Sequence, residues 1–367
     1  MRVALVHDFL VKLGGAERVL KVFMDMFPEA PVYTLLYRPE VCGKIFPAER
    51  VRTSFLQKFP EFLRQRQKFL FPLMPRAIEG FDFSDYDLVI SSSNAYAHGV
   101  VTPSRAVHLS YCHSPMRYVW DYTHEYLKEQ KVKGLTYAVA QKMLHEIRIW
   151  DRLASDRVDQ YLANSQHVQK RIQKYYQRDS KVLYPPVNVD RFMWQKEHDD
   201  YFLIVSALTP FKRLDLAIQL FNKIGKPLVI IGSGNQYEYL KNIAGKNIHL
   251  LGYKSDEETA QYLEKCRAFI HPAEEDFGIG VVEAMACGKP VLAYGRGGVL
   301  ETVIPGVTGE FFQESTVESM EDGLGRLIIN ESKYDPKIIR KRAEEFSEQC
   351  FITEFRKIVN EVMKDHY

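Results

Sequence analysis

The stretch EEDFGIGVVEAMACGKPVLAY, Glu274 to Tyr294, decides the fold. The apolar run AFIHPA (Ala268 to Ala273) precedes it and reads as a buried strand, and Gly278 and Gly280 then open a helix running through about Cys287. Gly288 and Pro290 end that helix and lead into PVLAY, a second strand. Strand, glycine-bearing loop, helix and strand in this order make a unit of a parallel sheet. Glycines let backbone N–H groups come close to a ligand, and a helix N-terminus carries partial positive charge suited to a phosphate. Glu275 lies just before the helix and Glu283 in its first turns, so both can face one ligand. Acids near a helix N-terminus also simply favour its dipole, and for Glu283 taken alone that local reading is the better one.

Outward from this unit the same alternation repeats. YFLIVSA (Tyr201 to Ala207), PLVIIG (Pro227 to Gly232) and IHLLGY (Ile248 to Tyr253) are further strands separated by helical periods. Upstream, Arg2 to Val6 is a short apolar run that passes through Gly14-Gly15 into the amphipathic AERVLKVFMDMF. VYTLL (Val32 to Leu36), DLVISSS (Asp87 to Ser93), AVHLSYC (Ala106 to Cys112) and QYLANS (Gln160 to Ser165) continue that earlier series, the last before a helix from about Gln166. Pro185-Pro186, in VLYPPVNVDRF, stiffens the chain between the two series as a linker would. Two doubly wound domains are expected, residues 1–190 and 191–350, with a C-terminal helix over 351–367 packing back on the first. In such folds ligands bind at the carboxyl ends of the strands, and two such edges can face one cleft.

The chain has 367 residues, 46% of them apolar, enough to fill two cores. Its formal net charge of +2 gives no global basicity of the kind that binds nucleic acid. The five cysteines are odd in number, far apart and without CxxC spacing, which disfavours a disulfide framework or a zinc site and fits a reducing cytoplasm. The opening MRVALVHDFL is broken by His7 and Asp8 too early for a signal peptide, and no stretch has the apolar length that spans a bilayer.

Glu275 and Glu283 enclose the seven residues DFGIGVV, and with EAMACGKPVLAYGRGG the string resembles the E-x7-E signature of the family-4 retaining glycosyltransferases of GT-B fold. GGAERV (Gly14 to Val19), YCHSPMRYVWD (Tyr111 to Asp121), Asn164-Ser165, YPPVNVDRF (Tyr184 to Phe192) and SALTPFKRLDLAI (Ser206 to Ile218) resemble pieces of that family in order. The combination is most similar to bacterial mannosyltransferases that use GDP-mannose in O-antigen or exopolysaccharide assembly. The resemblance implies two Rossmann-like domains and a nucleotide-sugar donor as cosubstrate, with no further cofactor. It implies that Glu283 holds the ribose hydroxyls, while Glu275 and the backbone amides of Phe277, Gly278 and Ile279 hold the donor sugar.

Lys212 and Arg213 suit the donor diphosphate, whose charge grows as the glycosidic bond breaks, although two basic loop residues on their own read as solvated surface. Many members carry an Arg where this chain has Ala207, which leaves Lys212 and Arg213 more of that charge. Gly14 and Gly15 would let the chain pass close to the donor phosphates and the acceptor; without the motif they are turn chemistry. His113 would meet the transferred sugar, where a lone His after a strand is usually structural. Arg117 and Asp121 are acceptor-side candidates, and Tyr253 and Lys254 lie where the base would be read.

Asp85-Tyr86-Asp87 fits a metal-binding DxD but precedes its strand, so it reads as a turn and strand entry; metal-independent catalysis is expected. Between Lys44 and Arg76, eight Lys or Arg interleave with phenylalanines. This suits an anionic membrane surface and a lipid-linked saccharide acceptor, at the inner face of the cell membrane. The alternative is a helix pair with the phenylalanines in its core and its charges in solvent. Rival functions are a UDP-sugar or dTDP-rhamnose transferase, a nucleotide-sugar epimerase, and a sensor without turnover.

Overall fold

The computed structural model describes residues 1–129 and 133–366 and divides into two compact units. The first comprises Met1–Tyr184 together with Ile352–Tyr367, and the second Pro185–Phe351. The division falls at Tyr184–Pro185 and not at 190, because Val187 donates its N–H to Phe346 O and accepts from Glu348 N, bonds made inside the second unit. The last helix begins at Glu348 and runs to His366; residue 367 lies outside the described residues.

In the first unit seven strands form one sheet: β1 (Val3–Leu10), β2 (Val32–Tyr37), β3 (Val51–Thr53), β4 (Leu88–Ser93), β5 (Val107–Cys112), β6 (Gln160–Ala163) and β7 (Ser180–Val182). Every pairing is parallel, in the order β3-β2-β1-β4-β5-β6-β7. β4 and β5 are buried throughout and β1 nearly so, which is why they read as apolar runs and not as an alternation. The order reverses between β1 and β4, so the loops leaving those neighbours diverge and leave a crevice at their carboxyl ends. Phe355 of the last helix packs on Phe23, ring centroids 4.9 Å apart, and Lys181 pairs with Glu361 at 2.6 Å.

The second unit holds β8 (Phe202–Val205), β9 (Leu228–Ile231), β10 (Ile248–Gly252), β11 (Ala268–His271), β12 (Val291–Tyr294) and β13 (Gly309–Phe312). They pair in parallel in the order β10-β9-β8-β11-β12-β13, reversing between β8 and β11. Both sheets are doubly wound, as the alternation of strand and helix predicts.

The segment 44–76 is neither of the two regular helices one reading of its sequence expects. It is a chain of single turns around β3, broken by Pro60, Pro72 and Pro75, with the short helices Glu61–Gln65 and Met74–Glu79. Phe46 is fully buried, but Phe62 and Phe69 are 62% and 65% exposed. Among the described residues no helix is long and apolar enough to cross a membrane.

Candidate functional site

The reversal in the second sheet puts the loop after β8 beside the loop after β11. The first loop carries Lys212 at the end of a turn of 3-10 helix (Pro210–Lys212), followed by Arg213 at φ 52° and the helix Leu214–Ile224. A left-handed arginine is rare, and here it swings the side chain toward Ser315 and Asp215, to both of which it donates. The second loop carries Glu275, whose carboxylate accepts from the Lys212 ammonium. Sixty-three residues separate this pair in sequence.

Gly278 caps the helix Ile279–Ala286 at φ 89°, a conformation that a side chain would strain. The N-terminus of this helix begins where the loop that holds Glu275 ends, and Val281 N–H there donates to the Gly278 carbonyl at 3.0 Å. Gly297 and Gly298 pass directly against that loop: Gly298 donates to Glu275 O at 2.8 Å, and a Cβ at Gly297 would lie 2.2 Å from the same oxygen. These glycines lie in the quoted GRGG, and their job is close approach. Phe277 is buried with its ring against Phe346.

Glu283, inside the same helix, is only 7% exposed, and its Oε1 accepts from Arg191 Nη2 at 3.2 Å. Arg191 also reaches Asp256 at 3.3 Å and lies over the Phe192 ring. Sequence reasoning quoted YPPVNVDRF without singling out this arginine. His271 was missed as well: it ends β11, is buried, and sets Nε2 3.8 Å from Glu275 Oε1. Burial holds its pKa below the ordinary value, offset in part by Glu275. Tyr253 and Lys254 follow β10, the edge strand; Tyr253 is 78% exposed and Lys254 is engaged by Glu258 at 2.8 Å.

In the first unit the crevice between β1 and β4 gathers a second polar cluster. Gly14 is the extended N-cap of the helix Gly15–Met26, and its first turn carries Glu17. Glu17 Oε1 lies 3.5 Å from His7 Nε2, and the His7 ring meets Ser92, whose hydroxyl is 2.8 Å from His113 Nε2. Asp8 points into the loop after β4 and accepts four backbone N–H groups, those of Asn94, Ala95, Tyr96 and Ala97, at 2.6–3.1 Å. Burial pushes its pKa up against those bonds. His7, Asp8 and Glu17 stand in the first βα unit, but only the strand order shows that His7 meets Ser92 and Asp8 the loop after it.

His113 is anchored through its backbone: its N–H donates to Ser93 O at 2.8 Å, and its carbonyl accepts from Asn164 at 2.9 Å. The acceptor-side candidate Asp121 is held by Arg171 and by Tyr175, whose ring stacks on Trp120. Arg117 is partly buried four residues earlier, where its carbonyl accepts from Asp121 and Tyr122 N–H. Asp85 and Asp87 lie at the amino end of β4 and hold Arg2 and the chain's N-terminus, at the opposite edge of that sheet from the His7–Ser92–His113 cluster. Among the described residues no three His, Cys, Asp or Glu converge as metal ligands.

Two doubly wound parallel sheets, the second with a lysine–glutamate pair beside a glycine-capped helix, define the GT-B class of sugar-transferring enzymes. Residues 188–346 match the family model "Glycosyl transferases group 1" and residues 13–191 match "Glycosyltransferase Family 4". The chain belongs to the family-4 glycosyltransferases. It is 30% identical over 207 residues to an uncharacterized glycosyltransferase of Methanocaldococcus jannaschii, a match covering 55% of this chain and 58% of that relative's length. It is 23% identical over 308 residues to the alpha-1,3/1,6-mannosyltransferase ALG2 of Dictyostelium discoideum, covering 69% and 70% of the two chains. In fold it is similar to Anabaena HepE, solved in complex with UDP, with a TM-score of 0.71 at 18% identity over 98% of this chain and all of that one.

Proposed function

We propose that the protein transfers mannose from GDP-mannose, with retention of configuration, to a lipid-linked saccharide in the assembly of a cell-surface polysaccharide. The observation that carries this reading is the Lys212–Glu275 pair at the carboxyl edge of β8 and β11, beside the first turn of the helix that contains Glu283. Glu283 takes the ribose hydroxyls, and Glu275 with the amides of Phe277 to Ile279 takes the sugar. Lys212 and Arg213 take the diphosphate, neutralising charge that grows as the bond to the sugar breaks. His113 meets a hydroxyl of the transferred sugar, Gly14 and Gly15 admit the phosphates and acceptor, and Arg117 and Asp121 serve the acceptor side. The acceptor hydroxyl attacks from the face the diphosphate leaves, and a phosphate oxygen takes its proton, so the reaction needs no protein base or metal.

The mannosyltransferase name of the ALG2 relative supports the sugar. The UDP complex of HepE favours a UDP-sugar as the second reading. A thermal-shift panel of GDP-, UDP- and dTDP-sugars separates the two, because a ligand that binds only the folded state raises its apparent stability. Product analysis with and without acceptor then distinguishes transfer from epimerisation, which needs no acceptor, and from binding without turnover.

A further inference from the structure

The cluster at the carboxyl ends of β1 and β4 has a hydrogen-bond order that leaves little freedom. His7 and Ser92 are register partners on adjacent strands, and both are fully buried. His7 Nδ1 lies 3.1 Å from the Ser92 carbonyl oxygen and 3.2 Å from its hydroxyl. A carbonyl only accepts, so Nδ1 carries a proton. His7 Nε2 faces Glu17 Oε1 at 3.5 Å, and an ionised carboxylate likewise only accepts. Burial alone would raise the Glu17 pKa, but the His7 imidazole more than offsets it and holds it below the ordinary value. His7 thus pairs with Glu17 through Nε2 at the base of the crevice and turns its Nδ1–H to Ser92.

The order then propagates. Ser92 Oγ accepts from His7 Nδ1, which leaves its own hydrogen available to its other neighbour, His113 Nε2, 2.8 Å away. His113 Nε2 is thereby an acceptor. Burial and the neighbouring His7 charge both oppose a second proton on that ring, with Glu17 acting weakly the other way, and its pKa is pushed down to about 3. Tyr111, whose ring packs edge-on against His113 at 5.1 Å, directs its hydroxyl to the Leu183 carbonyl.

We propose that Glu17, His7 and Ser92 are positioning residues that fix His113 as the neutral tautomer protonated on Nδ1, so that the transfer site presents a permanent hydrogen-bond donor there and never a base or a cation. The assignment to transfer rests on the function proposed above; the tautomer itself does not. It narrows what His113 can recognise to an oxygen with a free lone pair, such as a sugar hydroxyl. It also leaves the acceptor's proton to the donor phosphate, since an Nε2 already bonded by Ser92 cannot collect it.

The test uses the full chain labelled with 15N-histidine and two-bond proton–nitrogen correlation spectra, with the His113 signals identified by their loss in His113→Asn. The expected pattern is a pyrrole-like Nδ1 and a pyridine-like Nε2. Ser92→Ala should shift that pattern toward a mixture of tautomers and lower kcat roughly tenfold, about the worth of one hydrogen bond, with the donor KM changed less than twofold. Ser92→Thr should restore both. Should removal of one charge of the ion pair unfold the protein, His7→Leu combined with Glu17→Leu removes both together, a replacement that buried pairs often tolerate, and the same mixture is expected.

An imidazolium or an Nε2-protonated His113 in the wild type overturns the proposal. So does an unchanged spectrum, or unchanged kcat, in Ser92→Ala. If instead the spectra behave as expected while His113→Asn keeps full turnover, the relay stands and the assignment of His113 to the transfer site falls.

Discussion

Arg191 Nη2 donates to Glu283 Oε1 at 3.2 Å across 92 residues of sequence, and the carboxylate it holds is nearly buried. The ribose-binding candidate is thus not an isolated acid at a helix start but half of an ion pair, oriented before any nucleotide arrives. Arg191→Ala should weaken GDP and GDP-mannose alike and also lower folding stability, by about 1–3 kcal/mol for leaving a buried charged group without that bond. Calorimetric titration with GDP and a denaturant melt check the two effects; loss of neither removes Arg191 from the site.

The Lys212–Glu275 pair makes the two partners respond oppositely to free nucleotide. Lys212→Ala should weaken GDP binding by roughly 1.5–3 kcal/mol, since it removes a charge-assisted phosphate contact. Glu275→Gln should cost turnover, by about 3 kcal/mol, while GDP binds at least as tightly because the lysine is released. Steady-state kinetics beside titration with GDP decide this, and a Glu275→Gln variant that loses GDP affinity contradicts the division of roles.

Acid should destabilise the first unit through its buried imidazoles. Burial lowers the pKa of His98 to about 4 and of His108 to about 3, whereas an unfolded histidine titrates near 6.5. These two imidazoles therefore bind more protons in the unfolded state below that value, while Asp151 beside His98, raised by burial to about 7, offsets one of them. The stabilising contribution is complete above pH 6.5 and is lost as pH falls toward 4, at a slope approaching about 1.4 kcal/mol per pH unit for each histidine. Denaturant melts from pH 7.5 to 5 should show the decline, and His108→Gln, which retains a partner for Ser91, should reduce its slope.

The exposed Phe62 and Phe69 flank Arg64, Arg66 and Lys68, a geometry suited to an anionic lipid surface. Replacing those three cations by Glu should abolish binding to phosphatidylserine-containing vesicles, each contributing about 1 kcal/mol, and leave GDP affinity alone. Equal sedimentation of both forms with vesicles rules this surface out.

Asp85 and Asp87 are tied to Arg2 at the amino end of β4. Transfer should accordingly proceed undiminished in EDTA. Activity abolished by the chelator and restored by magnesium or manganese contradicts a metal-free diphosphate site.

Much of the fold was legible because buried parallel strands leave apolar runs and their loops carry Gly and Pro. The three strands that went unread, β3 (VRT), β7 (SKV) and β13 (GEFF), are the edge of a sheet in each case; they are short and carry too few apolar residues to make a run. The segment 44–76 misled for a different reason: its composition suits a helix, but Pro60, Pro72 and Pro75 break it into short pieces.

The sequence by itself determined the two wound sheets, the glycine-hinged helix after β11 and the acids before and within it, since these depend on periodicity and on neighbours a few residues apart. Which charges meet was decided by tertiary structure alone. Lys212 finds Glu275, and His7 finds Ser92 and through it His113, because each sheet reverses its strand order, between β8 and β11 and between β1 and β4. That reversal brings together loops far apart in the chain, and a hydrogen bond made or missed within half an ångström leaves no trace in the order of residues.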